Sequence, residues 1–179
     1  MGPLAVLIGP MGAGKSTVGA SLALRLSADL VDSDAEIERQ TGRTIPAIFG
    51  DGEQVFRSIE EDVVAQLLNR SGIVLALGGG AALSAATRRR LAGYPVVYLT
   101  VSADRGFARV AGSDRPLLSG DDPRTRYADL LAERDSTYRE AAAIVVDTDN
   151  GSPDDIAAQV VSAIAAYSQR HPTRFEESR

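Results

Sequence analysis

Five short runs of Val, Ile and Leu punctuate the chain: Leu4–Ile8, Leu30–Val31, Ile73–Leu77, Val96–Thr100 and Ile144–Val146. Each is followed by Gly, Asp or Ser and then by a stretch whose apolar positions recur at helical spacing. Val18, Leu22 and Leu26 mark one such face; Phe56, Ile59, Val63 and Leu67 mark a second; Ile156, Val160 and Ile164 mark a third. Near-continuous apolar strands alternating with amphipathic helices predict a parallel sheet buried on both faces, joined by right-handed crossovers. The expected fold is a three-layer α/β sandwich on a five-stranded parallel sheet. The last helix has an explicit start, with Ser152 at the N-cap, Pro153 at the first position, and Asp154 and Asp155 in the first turn.

Two segments interrupt this rhythm. Thr41 to Glu53 carries Gly and Asp between the second strand and the Phe56 helix. Gly112 to Arg126 is rich in Gly, Pro, Asp and Arg, with little to bury. The second reads either as a surface loop or as a lid of the kind that closes over a reaction to exclude water. Residues 1–179 are read as one domain, with residues from about 168 onward as a frayed tail.

Composition narrows the chemistry. At 179 residues, 44% hydrophobic and 24% charged, the chain can build a core, and its net charge of −5 disfavours nucleic acid and anionic membrane as partners. It has no cysteine and one histidine, His171, in a polar C-terminal stretch. Disulfides, thiolate metal sites and cysteine nucleophiles are excluded, and histidine chemistry is disfavoured. The first apolar run is too short for a signal peptide core or a membrane span, so a cytoplasmic protein is expected. No long hydrophobic patch calls for a partner, so a monomer is expected.

The strongest motif is Gly9-Pro-Met-Gly-Ala-Gly14-Lys15-Ser16, followed by Thr17. It matches the phosphate-binding loop in full, directly after a predicted strand and at the opening of a predicted helix. Glycines let successive N–H groups face a phosphate, aided by the helix dipole; Lys15 would reach the β- and γ-phosphates and the Ser16 hydroxyl would ligate magnesium. Asp32-Ser33-Asp34 ends the second strand, where ligands collect in an open parallel sheet. The two carboxylates serve either as a helix cap with a first-turn acid, the cap being Ser33 or Asp34, or as one acid near magnesium and one near an acceptor hydroxyl. Gly78-Gly79-Gly80 ends the third strand, exposing backbone N–H groups and permitting close approach of a ligand. No Walker-type aspartate ends that strand, which points away from GTPases and motor ATPases. Arg57, with Glu60 three residues on, reads either as a surface helix pair or as an arginine braced to hold a substrate carboxylate. Arg115-Pro-Leu-Leu118 falls in the lid candidate, and Arg134 on the helix after it.

Together these residues resemble the shikimate kinase family, over nearly the whole chain to about residue 165. The spacing of Arg57, Glu60 and Val64, followed by Val74 to Gly80, carries the likeness along with the phosphate loop, the Asp32/Asp34 pair, the Arg115 lid segment and Arg134. The resemblance implies a P-loop fold of the nucleoside-monophosphate-kinase type that phosphorylates the 3-hydroxyl of shikimate with ATP and magnesium, in chorismate and aromatic amino acid biosynthesis. It implies that Gly12, Ala13, Gly14, Lys15, Ser16 and Thr17 cradle the ATP phosphates, with Ser16 on magnesium and Asp32 in its outer shell. It further implies that Asp34 binds the acceptor hydroxyl as catalytic group or base, with Lys15 and Arg115 on the transferred phosphate. Shikimate would meet Arg57, Gly78, Gly79, Gly80 and Arg134; adenine would lie between Arg109 and the loop from Asn150 to Pro153. Residues 33–60 would form a substrate-binding subdomain including Phe49 and Phe56, and residues 112–126 the lid. Ser33 stands where the family often has Thr, and Gly151 where some members carry a basic side chain. The rival readings are another small-metabolite kinase, such as a gluconate kinase, and a non-catalytic nucleotide-binding regulator.

Overall fold

All five apolar runs become strands within a residue of the expected bounds. In the computed structural model, which describes residues 2–111 and 122–171, the strands are β1 (Ala5–Ile8), β2 (Asp29–Asp32), β3 (Ile73–Ala76), β4 (Val96–Thr100) and β5 (Ile144–Asp147). All neighbouring pairs are parallel, in the order β2-β3-β1-β4-β5, with β1 at the centre. β2 gains two residues over the Leu30–Val31 run because Asp29 and Asp32 pair with Ile73 and Ala76. The expectation of strands buried on both faces holds for β1, β3 and nearly all of β4. It fails at the edge, where β5 alternates and leaves Val145 47% exposed.

The helices are α1 (Lys15–Leu26), α2 (Ser33–Thr41), α3 (Ile45–Phe49), α4 (Glu53–Leu67), α5 (Ala85–Leu91), α6 (Ala103–Val110), α7 (Pro123–Ala141) and α8 (Pro153–Arg170). Two cores lie on opposite faces of the sheet. One joins α1 and α8 to Leu7, Val97 and Leu99; the other joins α2, α4 and Tyr138 of α7 to Val6, Ile8, Leu75 and Tyr98. Burial of this apolar surface, at roughly 25 cal/mol per Å², is what holds the layers together. Gly19 lets α1 lie close to the sheet, since a methyl there would meet Leu30 at 2.9 Å and Leu7 at 3.2 Å.

The Thr41–Glu53 interruption is more ordered than its composition suggested. Gly42 ends α2 in the left-handed region, and the Thr44 hydroxyl caps α3. Asp122 caps α7, so the C-terminal part of the lid candidate, from Pro123 to Arg126, is the first turn of a helix. The remainder, residues 112–121, lies outside the described residues, as do residues 172–179 of the tail candidate. α8 runs through Arg170, two residues past the expected fraying point, and Ser152 and Asp155 form a reciprocal capping box at its start. Among the described residues no helix is long and apolar enough to cross a membrane.

Candidate active site

Because every strand is parallel, the carboxyl ends of β1, β2 and β3 open on one edge, and their loops enclose a cleft of about 380 Å³. It is lined by Gly12, Gly14, Lys15, Ser16 and Thr17 on one side and by Asp32, Asp34, Gly78 and Gly79 on the other, with Arg109 and Val110 at the rim. Lys15 and Asp34 thus face the same space.

The loop after β1 is held by its carbonyls. Those of Gly9 and Pro10 accept from Lys15 Nζ at 2.8 and 2.9 Å, that of Met11 from the Tyr127 hydroxyl at 2.7 Å, and that of Gly12 from Arg109 Nη1 at 3.0 Å. With four successive carbonyls already engaged, the N–H groups of the first turn of α1 are the backbone groups left to meet a ligand. Gly12 and Gly14 adopt φ of 80° and 86°, the left-handed conformation a side chain resists. A methyl on Gly12 would also lie 2.5 Å from the Gly106 carbonyl of α6.

Asp32 is the N-cap of α2, its Oδ1 accepting from the N–H groups of Asp34 and Ala35 at 2.9 and 3.2 Å. This corrects the expected cap, Ser33 or Asp34. The cap uses one carboxylate oxygen of Asp32, and the residue still lines the cleft. Ser33 is fully buried instead, and its hydroxyl accepts from the Gly78 N–H at 2.8 Å. Ser16 and Asp32 reach the same cleft, and no cluster of three or more His, Asp or Glu side chains that could cage an ion exists among the described residues. That donor set fits a magnesium ion carried on phosphate oxygens rather than one held by protein alone.

The triple glycine is a seat for two side chains from other elements. A methyl on Gly78 would lie 2.3 Å from Asp34 Oδ1, and one on Gly80 would lie 2.3 Å from Arg57 Nη1. Arg57 is partly buried: it donates to Glu60 at 2.7 Å and to Glu53 at 3.2 Å, and its guanidinium lies 5.2 Å from the Phe56 ring centroid and 5.9 Å from that of Phe49. Glu60 is 1% exposed. Burial pushes its carboxyl up to about 7, against the pull of the Arg57 charge, while the Glu60 carboxylate raises Arg57 despite that arginine's own burial.

Sequence reasoning missed the tyrosines. Tyr138, 1% exposed, donates from its hydroxyl to the Gly79 carbonyl, and Arg134 stands one turn earlier on α7. Burial raises its phenol, opposed first by the neighbouring charges of Arg134 and Arg57. The charges of Arg134 on α7 and Arg57 on α4 thus both act on this tyrosine. The available signal was the four-residue spacing of Arg134 and Tyr138 on a predicted helix. Of the adenine candidates, Arg109 lies at the cleft rim, bonded to Gly12 and to the Thr148 carbonyl at 2.7 Å. Pro153 is exposed at the start of α8 and is not among the lining residues. Arg115 lies outside the described residues. Arg88, left without a role by sequence, donates to the carbonyls of Ala82 and Leu83 at 3.0 and 2.8 Å, closing the turn after the triple glycine.

A family model described as shikimate kinase matches residues 11–165. The chain belongs to the shikimate kinase family. It is 51% identical over 166 residues to the shikimate kinase of Rhodococcus erythropolis, covering 92% of this chain and 98% of that one. Against the shikimate kinase of Mycobacterium avium the identity is 49% over 168 residues, 93% of this chain and 96% of the relative. Among solved structures, shikimate kinase from Acinetobacter baumannii in complex with shikimate superposes with a TM-score of 0.87 at 42% identity, over 91% of this chain and 93% of that one. The family match runs from the phosphate loop into α8, so all the cleft-lining residues fall within it.

Proposed function

We propose that this enzyme transfers the γ-phosphoryl group of ATP to the 3-hydroxyl of shikimate, giving shikimate 3-phosphate and ADP in aromatic amino acid biosynthesis. The observation that carries the reading is the shared cleft, with Lys15 in the phosphate loop on one flank and Asp34, seated against Gly78, on the other. Family membership and a shikimate-bound structure at 42% identity support the choice of acceptor.

The phosphate loop holds the ATP phosphates through the N–H groups opening α1 and through Lys15, which leaves its loop carbonyls for the β- and γ-oxygens. Arg57 and Arg134 hold the shikimate carboxylate; a planar guanidinium meets a carboxylate with two parallel hydrogen bonds. Asp34 orients the 3-hydroxyl and receives its proton as the new O–P bond forms and the bond from Pγ to the ADP oxygen breaks. Ser16 and Asp32 are the residues that would hold magnesium, and when bound the ion offsets phosphate charge. Arg115 adds positive charge at the transferred group, and Arg109 with the loop to Pro153 flanks adenine. The reading includes a cytoplasmic, monomeric enzyme without nucleic-acid or membrane partners.

A coupled assay of ADP release with shikimate, quinate and gluconate as acceptors tests it. Shikimate is expected to be turned over with a kcat/KM at least a hundredfold above the other two. Preference for gluconate would identify a different metabolite kinase, and ATP binding without turnover of any acceptor would identify a regulator.

A further inference from the structure

Helix α7 carries two buried tyrosines whose hydroxyls leave the helix for the two loops that flank the cleft. Tyr127 donates to the Met11 carbonyl in the phosphate loop at 2.7 Å, and Tyr138 donates to the Gly79 carbonyl in the triple-glycine turn. The spacing of eleven residues, from 127 to 138, is within about 20° of three full turns, so both project from one face, about 16 Å apart along the axis. Tyr127 reaches its target through a gap left by Gly106, where a methyl would lie 2.0 Å from its oxygen, and the target of Tyr138 is itself a glycine flanked by glycines. Neither loop has many side chains of its own with which to fix peptide orientation, and glycine-rich backbone is the least restricted of all.

We infer that Tyr127 and Tyr138 are positioning residues for the two substrates separately: Tyr127 orients the phosphate loop for the nucleotide, and Tyr138 orients the Gly79–Gly80 peptide for the acceptor. One rigid helix thereby sets the distance between donor and acceptor loops. The Tyr127 ring packs with Phe107, and the Tyr138 ring packs against Tyr98, so each hydroxyl is aimed by its own aromatic neighbour. Fixing the carbonyl of Gly79 fixes the Gly80 N–H on the opposite side of the same planar peptide, beside the Arg57 guanidinium. The acceptor half of this inference rests on the reading that shikimate is the acceptor.

The test is a crossed pattern among three substitutions that each remove one hydroxyl and keep the ring. Tyr127→Phe is expected to weaken ADP binding, titrated by calorimetry without shikimate, by about 5- to 10-fold, the size of one lost hydrogen bond, while the shikimate KM stays within twofold. Tyr138→Phe is expected to raise the shikimate KM by a similar factor and leave ADP affinity within twofold. Tyr98→Phe serves as the internal control. Its hydroxyl is equally buried in the protein but donates to Asp135 at 2.8 Å and touches neither loop, so it is expected to lower the melting temperature and move neither constant beyond twofold. Equal effects on both ligands in Tyr127→Phe and Tyr138→Phe, or no effect beyond that of Tyr98→Phe, would overturn the inference. Wild-type enzyme that fails to turn over shikimate would sink the proposed function and the acceptor half together, while the ADP titration of Tyr127→Phe still decides the donor half.

Discussion

A methyl group at Gly78 or Gly80 would collide with the tip of a flexible side chain, at 2.3 Å in each case, whereas at Gly79 the nearest atoms are the Gly9 carbonyl oxygen and the Met11 nitrogen, both at 3.7 Å. Side-chain tips can move aside at little cost to the fold, but the tips in question belong to Asp34 and Arg57. Gly80→Ala is therefore expected to raise the shikimate KM at least tenfold, and Gly78→Ala to lower kcat at least tenfold, with melting temperatures near wild type. Steady-state kinetics of the two variants check this, and wild-type constants in either would refute it. The three glycines were legible in the sequence as a place of close approach. What approaches was not legible, because Asp34 and Arg57 lie 44 and 23 residues upstream of their glycines, and only folding brings them in.

At the scale of elements, Asp32 does two jobs at once: it caps α2 through Oδ1 and presents its carboxylate to the cleft. The two can be separated. Asp32→Asn keeps a capping oxygen and removes the charge, so its stability is expected to stay within about 0.5 kcal/mol of wild type while activity falls at least tenfold at limiting magnesium. Asp32→Ala loses the cap as well and is expected to cost about 1 kcal/mol more, measured by urea denaturation. The phosphate-loop helix and α8 were readable to a residue or two from spacing and caps. β2 and α3 were harder. β2 lies at an edge, with one apolar pair between two aspartates, and α3 is a five-residue helix of Ile45–Phe49 containing a proline, too short to show a period. Its order comes from tertiary contacts, including the stacking of Phe49 on Phe56 at 4.5 Å.

At the scale of the whole molecule, one acid is buried among the described residues, and its titration should be visible in the stability. Glu60 is pushed up to about 7 from 4.5, first by burial, so the folded state holds its proton more tightly than the unfolded chain. Its contribution is fully present below about pH 4.5 and is lost as pH rises through about 7, amounting to roughly 3 kcal/mol. The surface carboxylates paired with arginine, such as Glu36 and Asp51, are shifted downward and act in the opposite sense at acid pH. Subtracting the stability of Glu60→Gln from that of wild type at each pH isolates the buried acid. The difference is expected to fall between pH 5 and pH 7.5 and then level off, and a flat difference across that window would contradict it. The topology was legible in outline, since a phosphate loop after the first strand and regular alternation of strand and helix leave few parallel arrangements. The pairing of Tyr127 and Tyr138 with loop carbonyls was not, because their partners Met11 and Gly79 lie 116 and 59 residues away in the chain. Lys15 rests on the carbonyls of Gly9 and Pro10. An anion that takes over both of those N–H groups must replace two oxygens already in contact. A polyphosphate brings several adjacent oxygens to that exchange and chloride brings a single centre, so the resting loop is expected to favour the polyphosphate by more than charge alone would.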